Sequence, residues 1–379
     1  MENLQTASTS FSTSTLALRI WNFFRQPGLV WLAAVFGIGL ILRLHFLSQP
    51  MRYDESFSFL AFADHSWKEV FYYPLPNNHV FHTLLVRVTT LLFGSHPIVI
   101  RLPAFLAGLF AIPMAFTVCR QLSPGKQSGI IAAMAMSVFP YLVLYSTMAR
   151  GYSLIVLLLL ALIWGGVKLA AEPNIKHCMV LGLIAAIGMF TIPSMLFAVV
   201  GVYLWVALLI FCRTGSILIT IRHFLLPCGG MTMVMTVLFY LPVVAVTGGI
   251  TPIVANRFVA GLSFDNFLSR LGPHLLTTMR DFSRNVPSVL LLGGGILILA
   301  GFATAVKRRL LPALLLLPCL IIGSIAVLFA KHSIPYARTW IFFLPAAFII
   351  MDIGLMTIGT SLQMKYQQVL ILAAVLLTA

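Results

Sequence analysis

HVFHTLLVRVTTLLF, residues 79–93, is the stretch whose reading decides how the chain is threaded. Wound as a helix, it brings His79, His82, Thr83, Arg87 and Thr90 to one side at spacings of three and four. Val80, Phe81, Leu84, Leu85, Val88, Leu91 and Leu92 fill the other side. A helix that crosses a bilayer needs about 20 predominantly apolar residues. A shorter, two-faced helix carrying an arginine suits a position in the membrane surface. If this segment crossed, every later loop would change sides.

The rest of the chain makes that choice meaningful. Of 379 residues, 60% are hydrophobic and only 9% charged, with a mean hydropathy of +1.02. Soluble domains carry about 25% charged residues, so the composition excludes a water-soluble protein, a disordered chain and a disulfide-built scaffold. Ser/Thr-rich residues 1–27 precede the apolar run Gly28–Leu47, which has no small-residue cleavage site behind it and reads as a retained helix. Further spans are predicted at Pro97–Cys119, Gly129–Tyr145, Gly151–Ala171, Cys178–Ile192, Ser194–Cys212, Phe224–Val246, Ser288–Val306, Leu310–Ala330 and Trp340–Thr360. A last run, Val369–Ala379, is too short to cross, so the C-terminus is expected to be truncated. The predicted fold is all-α and polytopic, with about 10–11 spans and interfacial helices in the first outer loop.

Basic residues support the interfacial reading of residues 79–93. With that segment off the span count, Arg120, Lys126, Lys168, Lys176, Arg213, Arg222, Lys307, Arg308 and Arg309 all lie on the side of the N-terminus. The opposite short connections hold only Arg150, Lys331 and Arg338. The positive-inside rule then puts the N-terminus in the cytoplasm. The long loops 48–96 and 247–287 face outward and carry Asp54, Glu55, Asp64, Glu69, Asp265 and Asp281, so acidic chemistry belongs to the extracytoplasmic face.

The net charge of +15 is scattered between apolar runs, which fits topology and lipid headgroups and not nucleic acid. No Gly-rich nucleotide loop appears, and neither the five cysteines nor the histidines show metal-ligand spacing.

Asp54 and Glu55, in RYDESFS, can supply a general base with an orienting or metal-facing partner, or can simply favour the N-terminus of the helix that follows. Neighbouring side chains on a helix diverge by about 100°, so one of the two is expected to face a substrate. Ser66-Trp67-Lys68-Glu69 matches a capping box, which gives Glu69 a structural role. Arg101, Arg150 and Arg338 lie at outer ends of spans, where a guanidinium can grip a phosphate or snorkel to headgroups. Snorkelling is the expectation for Arg43. Lys331 and His332 precede Arg338 closely. Asp352, inside a predicted span, is expected to be a structural hydrogen-bonding group or a neutral acid.

Taken in order, RYDESFS, PLPNNHVFHTLLVRVTTLLFG, RLPAFLAGLFAIP, MARGYSLIVLLLLAL, FTIPSMLF and PYARTWIFFLPA resemble the GT-C membrane glycosyltransferases of the protein O-mannosyltransferase and aminoarabinose-transferase type. The resemblance covers residues 28–212 well and Arg338–Pro345 loosely. It divides the chain into a tail (1–27), a GT-C helical module (28–212) and additional transmembrane helices (213–379). It implies a bacterial inner-membrane enzyme that moves a sugar from a polyprenyl-phosphate donor to a lipid, glycan or protein acceptor by inverting transfer. No cofactor is certain, and a divalent metal is an open possibility.

By that resemblance Asp54 is the catalytic base and Glu55 its partner. Arg101, Arg150, Lys331 and Arg338 are donor-phosphate ligands, and Asn77, Asn78, His79 and Tyr152 line the substrate pocket. The chain departs from the pattern at Asn77-Asn78-His79, where many relatives carry Lys-Pro-Pro or His-Pro-Pro, so another cation must stand in for the missing lysine. The competing expectation is a lipid or solute transporter or flippase, which shares the many spans and Pro-broken helices.

Overall fold

The computed structural model describes residues 27–123, 128–255 and 260–361, and every regular element among them is helical. The predicted tail up to residue 26, Lys126, Asn256 and the run 369–379 lie outside the described residues. In chain order the first helices are α1 (Pro27–Leu47), α2 (Tyr53–Ser58), α3 (Trp67–Val70), α4 (Val80–Phe93), α5 (Pro97–Leu122), α6 (Ile130–Val138), α7 (Pro140–Ser146) and α8 (Tyr152–Ala171). Then come α9 (Ile175–Thr191), α10 (Met195–Thr214), α11 (Ile217–Thr220), α12 (Leu226–Thr247), α13 (Thr251–Val254), α14 (Phe264–Ser283), α15 (Ser288–Lys307), α16 (Leu311–Lys331) and α17 (Phe343–Ser361).

Eight helical stretches among the described residues are long and apolar enough to cross a membrane: Gly28–Leu47, Pro97–Leu122, Tyr152–Ala171, Met195–Thr214, Ile217–Thr247, Ser288–Lys307, Leu311–Lys331 and Ala337–Ile358. Two of the predicted spans are shorter or broken. The one expected at Cys178–Ile192 is α9, 17 residues long. The one expected at Gly129–Tyr145 is split into α6 and α7 at Pro140.

Pro140 has no N–H to give the carbonyl of Met136, four residues back. The kink also strands the carbonyl of Ser137. Arg43 on α1 answers both, with Nη2 3.0 Å from Met136 O and Nη1 2.9 Å from Ser137 O. Only 1% of Arg43 is exposed. The expectation that Arg43 snorkels is therefore corrected: the guanidinium is a buried clamp between α1 and the α6–α7 break.

At the other end of the bundle Asp352 plays a related part. Fully buried on α17, it accepts backbone N–H bonds from Gly129, Ile131 and Ala132 at 2.9–3.2 Å, and the Cys119 thiol lies 3.3 Å away. A carboxylate borrowed from another helix thus caps the N-terminus of α6. Close approach of other pairs depends on glycine. A Cβ on Gly201 of α10 would stand 2.6 Å from Leu320 Cα on α16.

The segments that predicted chemistry gather at one end. Arg101 reaches the end of α1, Arg150 the loop before α4, Tyr73 the end of α12 through Thr247, and Leu262 the turn after α16 through His332 O. Arg120, Lys168, Lys176, Arg213, Arg222, Lys307, Arg308 and Arg309 lie toward the opposite end. The 14-residue α4 turns its polar side inward: His82, Thr83 and Thr90 are buried, while Val88, Leu91, Leu92 and Phe93 are exposed. At about 1.5 Å per residue it is too short to span, and its apolar outer face suits acyl chains. The outer loop 247–287 contains the amphipathic helix α14. It exposes Leu268, Leu275, Leu276 and Met279 and buries Phe267 and Thr278 against the bundle.

Candidate active site

The site begins where α2 starts. Glu55 sits at its third position and accepts the Arg52 backbone N–H at 2.9 Å, the reciprocal half of a capping box. Its other bonds come from distant parts of the chain. Arg101 grips it bidentately, Nη2 to Oε1 at 2.8 Å and Nε to Oε2 at 2.9 Å, and the Ala149 N–H gives Oε2 a further bond at 2.9 Å. Arg101 spends its remaining N–H groups on the carbonyls of Leu47, Gln49 and Pro50 at 2.7–3.2 Å. All five guanidinium donors are occupied, and each residue is 1% exposed. Two expectations are corrected by this geometry. Arg101 has no donor left for a phosphate, and Glu55, with both oxygens bonded within the protein, is the internal anchor of the loop.

Asp54 points the other way, as helical divergence predicts. About a third of its side chain is exposed, and Oδ2 lies 3.3 Å from Arg338 Nη1. Arg338 lies over the rings of Tyr152 and Tyr336, 5.9 and 4.6 Å from their centroids. Its position comes from the two-turn 3₁₀ helix Ala337–Phe342 that precedes α17. Trp340 in that turn donates to His274 Nε2 at 2.8 Å, which fastens α14 to it. Burial holds the His274 imidazole below its ordinary pKa, so the ring stays a neutral acceptor.

Behind Asp54 is a second buried guanidinium. Arg150 Nη1 reaches Ser58 Oγ at 2.7 Å, Asn77 O at 3.0 Å and Asp54 O at 3.4 Å. Its Nη2 lies 3.2 Å from His79 Nε2, and the Gly151 N–H donates to His79 Nδ1 at 2.9 Å. Burial, reinforced by Arg150, His82 and Arg338, depresses the His79 pKa well below 6.5. His82, one turn on, is pushed down to about 3 by burial and Arg150. Both rings are neutral at physiological pH.

Arg338, Arg150 and His79 line a cavity with about 870 Å³ of empty space, mouth included, among whose walls are also Asn77, Tyr152 and Lys331. Six of the residues expected at a substrate site therefore meet. Asn78 does not. It is fully buried, donates to Val70 O and Tyr72 O at 2.9 and 2.8 Å and accepts from Thr83 Oγ1 at 2.8 Å, so its expected pocket role is corrected to that of a loop brace. A second, more open cavity, with about 1500 Å³ of empty space including its mouth, lies across the aromatic pair Tyr145–Tyr152, whose centroids are 4.8 Å apart. Its polar lining includes Gln49, Arg52, Tyr145, Asp281, Arg284 and Asn285.

Sequence reading missed Ser58, Tyr336 and this second lining. Ser58 and Tyr336 stand inside quoted motifs, RYDESFS and PYARTW, but no spacing rule marks them. Arg52, Asp281 and Arg284 meet only through the docking of α14 on α7, where Phe282 packs on Tyr141. No group of three or more His, Cys, Asp or Glu side chains that could hold a metal ion occurs among the described residues. Asp54 and Glu55 diverge, so the acidic pair does not form a shared ligand set.

Residues 78–240 match the family model described as dolichyl-phosphate-mannose-protein mannosyltransferase. Comparison with curated proteins finds no match. Among solved structures the chain is similar to ArnT from Cupriavidus metallidurans in the apo state, with a TM-score of 0.60 and 16% identity over 88% of this chain. The match covers 62% of that ArnT chain, so this chain spans under two thirds of its length. The fold is thus the GT-C fold of ArnT, and the stretch from α4 into α12 is similar to the mannosyltransferase family.

Proposed function

We propose that this chain is a polytopic membrane glycosyltransferase that takes a sugar from a polyprenyl-phosphate donor and passes it to a hydroxyl or amine of an acceptor. The observation that carries the reading is the Asp54–Arg338 pair: a partly exposed carboxylate held 3.3 Å from a guanidinium that lines a cavity together with Arg150 and Lys331. A base and a phosphate ligand side by side are what glycosyl transfer from a phosphate needs. The family match and the ArnT fold support the same class.

In this reading Asp54 removes the acceptor proton as the acceptor oxygen or nitrogen attacks the anomeric carbon from the face opposite the phosphate. The bond from that carbon to the phosphate oxygen breaks, the configuration inverts, and the polyprenyl phosphate leaves carrying the electron pair. Arg338, Lys331 and Arg150 stabilise its negative charge; the phosphate needs no proton to depart. A donor phosphate drawing Arg338 toward the cavity also loosens its hold on Asp54 and leaves the carboxylate free to act. The second cavity, beyond Tyr145 and Tyr152, is the acceptor's approach, with the C-terminal end of α14 at its rim. Positive-inside sidedness puts both cavities on the extracytoplasmic face and the N-terminus in the cytoplasm. Membrane lipids surround the exposed helix faces.

The test is a transfer assay in membranes containing the protein, offering a panel of polyprenyl-phosphate sugars to wild type, Asp54→Asn and Arg338→Gln at matched expression. Release of one sugar by wild type, abolished in Asp54→Asn and strongly reduced in Arg338→Gln, is expected. Transfer that survives Asp54→Asn removes the assignment of the base. Substrate movement across the membrane without any bond cleavage favours a transporter.

A further inference from the structure

Arg101 and Arg150 are both buried on the same side of the bundle, and they use their guanidinium groups differently. Arg101 presents its Nε/Nη2 edge to a carboxylate, with both bonds made. The same edge of Arg150 has no protein acceptor that fits it: Nε is buried with no hydrogen-bond partner, and the hydrogen-bond contact of Nη2 is with the His79 ring. Arg150 is 2% exposed and His79 3% exposed, and both line the cavity.

The His79 ring cannot satisfy that edge. Its Nδ1 accepts the Gly151 N–H, so a neutral ring carries its proton on Nε2. Nε2–H then faces Arg150 Nη2 across 3.2 Å, donor against donor. The other tautomer would move the conflict to the fixed Gly151 amide without removing it. Burial among cations keeps the ring from taking a second proton. Three N–H donors, two from Arg150 and one from His79, therefore converge beside a cavity with no protein acceptor among them. Leaving such donors unpaired is costly, and an anionic oxygen shared between them resolves the conflict.

We infer that the Nε/Nη2 edge of Arg150 and the Nε2–H of His79 form an oxyanion seat for the phosphoryl group of a lipid phosphate, with His79 acting as a neutral donor. The inference rests on the proposed donor class and adds what the sequence left open: how a chain with Asn77-Asn78-His79 manages without a lysine at this point. The seat uses a fork for geometry and an uncharged imidazole for the third bond. Positive charge comes from Arg150 itself, with Arg338 and Lys331 elsewhere on the cavity wall.

The experiment compares wild type, His79→Phe and His79→Gln in detergent micelles. Undecaprenyl phosphate is the probe, undecaprenol the chain without its phosphate, and inorganic phosphate the competitor without a chain. Phe and Gln both give up the bond from Gly151, and only Gln keeps an N–H near the position of Nε2–H. Their difference therefore isolates the donor. A hydrogen bond to a charged group is worth about ten- to a hundredfold in affinity. The expected result is undecaprenyl phosphate binding weakened by about that factor in His79→Phe and by less than about fivefold in His79→Gln, undecaprenol binding unchanged, and poor competition by inorganic phosphate. Wild-type affinity retained in His79→Phe overturns the seat. Competition by inorganic phosphate at concentrations comparable to the lipid overturns its selectivity for a lipid phosphate. Wild type that binds undecaprenol as tightly as undecaprenyl phosphate overturns the donor class of the proposed function instead. If His79→Phe does not fold, side-chain ¹⁵N spectra of wild type decide: a proton on Nδ1 refutes the argument, and a proton on Nε2 whose signal moves when undecaprenyl phosphate is added sustains it.

Discussion

Replacing Glu55 with Gln separates the two members of the acidic pair. Four donors aim at the Glu55 carboxylate, two at each oxygen: Arg52 N–H and Arg101 Nη2 at Oε1, Arg101 Nε and the Ala149 N–H at Oε2. Glutamine has nearly the same shape, but whichever oxygen becomes the amide nitrogen must face two donors with its own hydrogens. The substitution also leaves the Arg101 guanidinium buried without its counter-charge. Breaking one partner of a buried pair costs about 3–5 kcal/mol. Asp54→Asn is a different matter. The Asp54–Arg338 contact is 3.3 Å long with side chains 32% and 26% exposed, and a solvent-accessible ion pair is worth about 0–1 kcal/mol. Unfolding of purified protein in mixed micelles, followed by loss of helical signal, should therefore show a large loss for Glu55→Gln and almost none for Asp54→Asn. Activity should behave in the opposite sense per folded molecule, with Asp54→Asn inactive. Glu55→Gln as stable as wild type would refute the anchor role. Asp54→Asn losing several kcal/mol would show that this carboxylate too belongs to the scaffold.

Arg43→Met removes the donors from two buried carbonyls at the Pro140 break, at about 1–3 kcal/mol for each group left unpaired. The same unfolding assay should show a loss of that order, and wild-type stability would dismiss the clamp. Stability should also fall on acidification because His82 is buried neutral with a pKa of about 3, against about 6.5 in the unfolded chain. Between those values the unfolded state binds a proton that the native state does not, so stability rises with pH up to about 6.5 and levels off above it. His82→Phe should flatten the stability profile between about pH 4 and 6 by close to one proton, or about 1.4 kcal/mol per pH unit; an unchanged slope would place the titration elsewhere.

The all-helical membrane class was written in the composition, because apolar runs of about 20 residues with so few charges have no other stable solution. The interfacial reading of residues 79–93 followed from length and two-sidedness, although the structure turns the polar side toward the bundle, where His82 and Thr83 find a protein interior more polar than the acyl chains outside. The local hydrogen-bonding role of Glu69 was readable as well, since it depends on what a carboxylate does at the start of its own helix. Ser66 Oγ donates to Glu69 and also accepts the Lys68 N–H at 3.2 Å. For Asp352 the sequence offered a structural hydrogen-bonding group or a neutral acid; its cap on α6, more than 200 residues away, came from the tertiary structure.

What the sequence left undetermined was the division of labour among like residues. Asp54 and Glu55 are adjacent, and Arg101, Arg150 and Arg338 are alike in composition and in their place near the ends of helices. Their roles depend on which carbonyls, carboxylates and aromatic rings arrive from elsewhere in the chain. Arg101 meets Glu55 and the end of α1, so all of its donors are consumed. Arg150 meets His79 and Ser58, so one edge is left toward the cavity. Arg338 is brought over Tyr152 and beside Asp54 by a turn between two helices far along the chain. Helical periodicity fixes which way a side chain leaves its own helix, a matter of a few residues. What it meets there is set by packing between segments roughly fifty to two hundred and eighty residues apart, and only the tertiary structure decides that.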